Sequence, residues 1–163
     1  VRYRIIAFVA FVALLLDQGT KALVLQQLPL DAGIPVTSFF SLVHVQNHGA
    51  AFGFLNDPGT TWQFWLFTLA TLAAIVVVVV MARSAKEHER MLFVAFGAIV
   101  GGALGNFIDR VRFRAVVDFL DFYWAGWHWP AFNVADVFIC FGAVLLVLHS
   151  FCAPNTPKEG SRT

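Results

Sequence analysis

Four stretches of the chain are apolar almost without interruption, and the polar residues between them are concentrated rather than scattered. The first runs from Ile5 to Leu28 and is broken only by Asp17, Gln18, Thr20 and Lys21. Arg2 and Arg4 ahead of it resemble the start of a secretory signal peptide, but no small-x-small cleavage site follows and the apolar pattern resumes at Ala22, which predicts a retained span. The second, residues 61–82, includes six consecutive β-branched residues from Ile75 to Val80 and enters through Trp62 and Trp65. The third, residues 91–108, carries Gly97, Gly101 and Gly105 on one helix face, where a neighbouring backbone can approach closely. The fourth reaches about Phe151; counted from Asp136 it is short for a hydrocarbon core of about 30 Å, so its start is expected near Phe132. Each is long and apolar enough for a transmembrane helix. Residues 1–153 are expected to form one membrane domain, with a polar, disordered tail over 154–163.

Composition strengthens this reading. Of 163 residues, 59 % are hydrophobic and 13 % charged, too much apolar surface and too little charge for an ordinary soluble fold. A formal charge of +1 offers no basic stripe for nucleic acid. Lys and Arg set the orientation. Arg2, Arg4, Arg83, Lys86, Arg90, Lys158 and Arg162 fall on one side, against Arg110, Arg112, Arg114 and the intramembrane Lys21 on the other, which predicts cytoplasmic termini. Two connections then lie outside. Residues 36–45 are β-branched and aromatic enough for short strands, and residues 110–132 hold Phe119, Phe122, Tyr123, Trp124, Trp127 and Trp129, which predicts a loop resting on the membrane surface. Cys140 and Cys152 point to different sides of one helix and are expected to be buried thiols.

Charge inside a bilayer is costly, so the polar residues near the outer span ends ask for an explanation. Asp17 and Lys21 share a helix face and predict an ion pair. Asn106, Asp109 and Arg110 close the third span. Asn133 followed by Asp136 is a helix-start pattern with Asn133 as the cap. Asp118 stands among Val116, Val117, Phe119, Leu120 and Phe122, where desolvation raises a carboxyl pKa. Asp118 and Asp136 fall on the same side at the membrane boundary, and two carboxyls in hydrogen-bond reach share a proton. Such a pair can activate water with one member and protonate a peptide carbonyl with the other. There is no Gly-x-Ser-x-Gly elbow and no zinc helix, since His88-Glu89-Arg90-Met91-Leu92 lacks the second His. Two other readings stay open at this point: a metal-dependent lipid transferase with Asp109, Asp118 and Asp121 around Mg²⁺, and a proton-coupled transporter using the intramembrane Asp and Lys.

Five motifs occur in order: Asp17-Gln18-Gly19-Thr20-Lys21; Asn47-His48-Gly49-Ala50-Ala51-Phe52; Gly101-Gly102-Ala103-Leu104-Gly105-Asn106 with Asp109-Arg110; Val116-Val117-Asp118-Phe119; and Phe132-Asn133-Val134-Ala135-Asp136. In these the chain resembles the lipoprotein signal peptidases (signal peptidase II) along nearly its whole length. The resemblance implies an all-α membrane protein of four transmembrane helices with a small extracytoplasmic β-rich platform, located in a bacterial inner membrane. It implies an aspartic endopeptidase that acts on diacylglyceryl-modified prolipoproteins and cuts before the lipidated cysteine. Asp118 and Asp136 then match the catalytic dyad, while Asp17, Lys21, Asn47, Gly49, Asn106, Asp109, Arg110 and Asn133 match supporting or substrate-contacting positions. No metal or organic cofactor is expected. Membrane lipids and cyclic depsipeptide inhibitors of the globomycin type are expected to bind a monomer.

Overall fold

The computed structural model describes residues 1–49 and 62–152. Residues 50–52 of the second motif and the tail over 154–163 lie outside the described residues. The elements in order are α1 (Arg2–Gln27), β1 (Gly33–Pro35), β2 (Phe40–Asn47), α2 (Trp62–Ser84), α3 (Arg90–Phe113), β3 (Val116–Trp124), β4 (Trp127–His128) and α4 (Val134–Cys152). All four helices are long and apolar enough to cross a membrane. Four antiparallel strands in the order β1-β2-β3-β4 form one small sheet at the end where α1 and α3 finish and α4 begins.

Helix α3 is the hub and packs against α1, α2 and α4. Of its most apolar stretch 56 % is buried in the protein, against 22 %, 17 % and 11 % for α1, α2 and α4, which leave most of their surface for lipid. The glycine stripe explains why α3 takes the centre, because bare backbone lets its neighbours approach. A methyl group on Gly101 would lie 2.6 Å from the Ala10 carbonyl oxygen of α1, and one on Gly102 would meet the Ala135 carbonyl oxygen of α4. At the other end Arg2 donates to the carbonyls of Ala82 and Arg83, tying the start of α1 to the last turn of α2.

Three features turn these helices into a platform. Arg114 caps α3 in the left-handed region (φ 60°), and its guanidinium lies 4.2 Å from the centre of the Phe64 ring of α2. The chain then reverses into β3, whose Val117 N–H donates to Asp109 of α3. Val24 of α1 and Leu28 just past its end pack with Val117 and Phe119 beneath the sheet. The aromatic segment expected as a surface loop is largely strand. Trp124 pairs with Trp127 across Ala125 and Gly126, both at positive φ, a two-residue hairpin turn. The first four residues of β3 are all buried, so this strand lacks the alternation that marks a strand in sequence.

Candidate functional site

Polar residues from three helices meet at the outer ends of the spans. The Lys21 ammonium is buried and uses all three donors: on Asp17 Oδ2 at 2.9 Å, Asp109 Oδ2 at 2.8 Å and Asn106 Oδ1 at 2.9 Å. Asp17 Oδ1 accepts the Ala135 N–H of α4 at 2.9 Å, so a carboxylate of α1 covers the positive start of another helix. Gln18 Nε2 donates to Asp17, to the Gly105 carbonyl and to Asp109. The expected Asp17–Lys21 ion pair is therefore present, within a larger cluster. Gln18 is the member that sequence reasoning missed; its signal was an amide beside an acid inside an apolar run.

The two acids of interest come from different kinds of element. Asp136 sits in the first turn of α4, where Asn133 caps the helix in both directions. Asn133 Oδ1 accepts the Asp136 N–H at 3.0 Å, and Asp136 Oδ2 accepts the Asn133 N–H at 3.2 Å. Asp118 lies in β3 opposite Val45 of β2. The backbone of Phe132 bonds to Phe119 and Leu120, which brings the following residue, Asn133, alongside Asp118. The Asn133 Nδ2 then donates to Asp118 Oδ1 at 2.6 Å, and the Asn47 Nδ2 to Asp118 Oδ2 at 3.0 Å. Asn106 Nδ2 donates to Asp136 Oδ1 at 2.8 Å. One residue, Asn133, thus bonds both carboxyls, Asp118 through its side chain and Asp136 through its main-chain N–H. Asp118 is 3 % exposed, and burial together with the nearby Asp136 carboxylate pushes it up to about 7.

Both acids open into one cavity of about 680 Å³. Asn47, Gly49, Asn106, Arg110, Asp118 and Asp136 line its polar end; Ile139, Cys140, Phe141 and Val144 of α4 and Trp129–Phe132 line the rest. The Arg110 guanidinium stands 4.7 Å from the centre of the Phe67 ring of α2. Cys140 is exposed on this wall, which corrects the expectation of a buried thiol. A helix that is apolar on every face gives no periodicity by which to separate buried positions from lipid- or cavity-facing ones. The cation site considered for Asp109, Asp118 and Asp121 does not assemble. The Asp109 carboxylate is occupied by Lys21, Gln18 and the Val117 N–H, while Asp121, three positions from Asp118 on a strand, bonds to His128. Among the described residues no group of His, Cys, Asp and Glu has the arrangement of a metal site.

Four helices able to cross a membrane, with two carboxyls held by amide donors at the polar end of an otherwise apolar cavity, have the architecture of an integral membrane enzyme. The chain belongs to the signal peptidase II family, whose profile, described as Signal peptidase (SPase) II, matches residues 9–152. It is 51 % identical over 162 residues to the lipoprotein signal peptidase of Nitratidesulfovibrio vulgaris (strain DP4), covering 99 % of this chain and 97 % of that protein. It is 50 % identical to the lipoprotein signal peptidase of Oleidesulfovibrio alaskensis, covering 90 % and 94 % respectively. Among solved structures, a bacterial membrane enzyme determined by the in meso method at 2.3 Å superposes with a TM-score of 0.80 at 27 % identity, over 96 % of this chain and 93 % of that one.

Proposed function

We propose that this protein removes the signal peptide from diacylglyceryl-modified prolipoproteins, cutting before the lipidated cysteine, with Asp118 and Asp136 as its catalytic dyad. The observation that carries the residue assignment is the sharing of Asn133, whose side-chain NH2 donates to the Asp118 carboxyl and whose main-chain N–H donates to the Asp136 carboxyl where both acids face one cavity. One member of the pair is protonated and the other ionised at work. The ionised carboxylate takes a proton from water as the water oxygen attacks the scissile carbonyl carbon. The protonated carboxyl gives its proton to the carbonyl oxygen, producing a neutral gem-diol. Collapse returns a proton to the leaving nitrogen as the C–N bond breaks. The burial that raises Asp118 makes it the natural holder of the shared proton, though titration belongs to the pair.

The apolar cavity wall on α4 suits a substrate that arrives sideways through lipid with acyl chains attached. On this reading the protein is a monomer of the bacterial inner membrane with residues 1–153 as its domain. Both termini and the tail over 154–163 are cytoplasmic, and the site faces the periplasm; the support is the Lys and Arg distribution. The exposed Trp124, Trp127 and Trp129 rest in the headgroup layer, and cyclic depsipeptides of the globomycin type compete for the cavity. Asp17, Lys21, Asn47, Gly49, Asn106, Asp109, Arg110 and Asn133 support the dyad or touch substrate. The test is cleavage of a lipidated precursor by Asp118→Asn and Asp136→Asn. Each abolishes cleavage while the protein remains folded, and a full-rate single variant would sink the dyad.

A further inference from the structure

We propose that Lys21 is a positioning residue: its ammonium holds the Asn106 side chain with the carbonyl oxygen toward α1, so that the NH2 is turned onto Asp136. The inference rests on the reading of Asp118 and Asp136 as the dyad. A side-chain amide has nearly the same shape when flipped, but one end accepts and the other donates. Which end faces an acid is decided by whatever meets the opposite end. An ammonium can only donate, so the oxygen of Asn106 must face Lys21, at 2.9 Å, and Nδ2 is left for Asp136 Oδ1 at 2.8 Å.

The other two asparagines follow the same rule with a different lock. Asn133 Oδ1 is held by the Asp136 N–H at 3.0 Å and Asn47 Oδ1 by the Gly49 N–H at 2.9 Å, which leaves each Nδ2 for Asp118. Those locks are main-chain donors, which no side-chain change short of proline removes. At Asn106 the lock is a side chain. Lys21 lies outside the wall of the catalytic cavity, bordering a small space between α1 and α3, and of its three bonded partners Asn106 is the one whose side chain itself bonds a dyad carboxyl. Without it the flipped amide competes, and its oxygen is satisfied only by an Asp136 that carries the proton on Oδ1. That arrangement draws the proton away from the place the reaction needs it. The charged groups around this point are Asp17 and Lys21 from α1, Asp109 and Arg110 from α3, Asp118 from β3 and Asp136 itself.

Asn106→Asp is the permanent version of the flipped amide, since both its ends accept, and it retains the partner of Lys21. It is compared with Lys21→Met and with Asp17→Asn/Lys21→Met/Asp109→Asn, in which no buried carboxylate is stranded if the single variant unfolds. The full-length proteins are assayed in detergent micelles on a diacylglyceryl lipopeptide, with kcat, KM and a pH–rate profile. We expect each to lose kcat about hundredfold with little change in KM, and the acidic limb to rise by about one pH unit. Adding Asn106→Leu to the triple variant, which removes the donor without burying a further carboxylate, then costs little more, because both changes remove the same donor. Additive losses, an unmoved pH profile, or a folded Lys21 variant with wild-type kcat would overturn the proposal. Asp118→Asn and Asp136→Asn run alongside: activity in either sinks the dyad, whereas their silence beside active Lys21 variants sinks only the role of Lys21.

Discussion

Two glycine-to-alanine substitutions, one in α3 and one in α1, separate close packing from helix propensity at this site. A methyl group on Gly105 would fall on Asp17 Oδ2 and 3.0 Å from the carboxyl carbon, well inside contact distance. The displaced atom is the one that accepts from Lys21 and Gln18, and the other oxygen of the same carboxylate holds the Ala135 N–H. Relief requires α1 and α3 to separate or the carboxylate to move. Overpacking of this kind costs about 1–3 kcal/mol. Ala135 directly precedes Asp136, so movement of Asp17 reaches the dyad within one residue, and a misplacement near 1 Å costs about hundredfold in rate. Gly19 of α1 is exposed and has nothing within 4 Å of the same added methyl, so Gly19→Ala is neutral or stabilises by at most about 1 kcal/mol.

The assay pairs unfolding of each variant in mixed dodecylmaltoside–SDS micelles with kcat on a lipopeptide. Gly105→Ala is expected to unfold at lower SDS fraction and to lose most of its activity; Gly19→Ala tracks the wild type in both. A Gly105→Ala protein with unchanged stability and rate would show that Asp17 has room to move, and that the close approach of α1 to α3 does not set the dyad.

Three further outcomes follow from the same geometry. Activity falls as pH rises through about 7, where the shared proton leaves Asp118, and a profile still climbing at pH 9 would contradict the shared proton. Stability has the matching sign: a carboxyl raised by folding favours the folded state below its unfolded pKa and loses that contribution as pH rises through about 7, so acidifying from pH 8 to 6 stabilises the wild type more than Asp118→Asn, as SDS titration at the two pH values reads directly. In a Cys152→Ser background, a bulky methanethiosulfonate on Cys140, exposed in the cavity wall one turn beyond Asp136, blocks cleavage, and complete labelling without loss of rate would remove α4 from the substrate path.

The spans were legible because a bilayer demands long apolar windows, and the site because charge within such windows is rare enough to stand out. Asn133-Val134-Ala135-Asp136 announced a helix start through local chemistry alone, and the reciprocal bonds between Asn133 and Asp136 follow that reading. Strand β3 was hidden within an aromatic loop because its buried start has no polar alternation, and pairing with β2 supplies what periodicity could not. The cavity wall was invisible for a related reason: Ile139, Cys140 and Val144 have the same character whether they face lipid, protein or substrate. The bonding direction of Asn47, Asn106 and Asn133 depends on partners far away in the chain, so spacing carries no trace of it.

The ion cluster beneath the dyad has a reason to hold two acids against one lysine. An ammonium at Lys21 can only donate to Asn106, yet an unopposed ammonium in a low dielectric would pull the proton from the neighbouring pair. Asp17 and Asp109 each bond to the ammonium, and each also accepts a main-chain N–H, from Ala135 and Val117. The same two carboxylates therefore oppose the field of Lys21 and pin α4 and β3, the elements that carry Asp136 and Asp118. Neutralising Asp17 alone would shift both charge and position, so a pure loss of stability at Asp17→Asn, without a change in the pH profile, would separate the two roles in favour of anchoring.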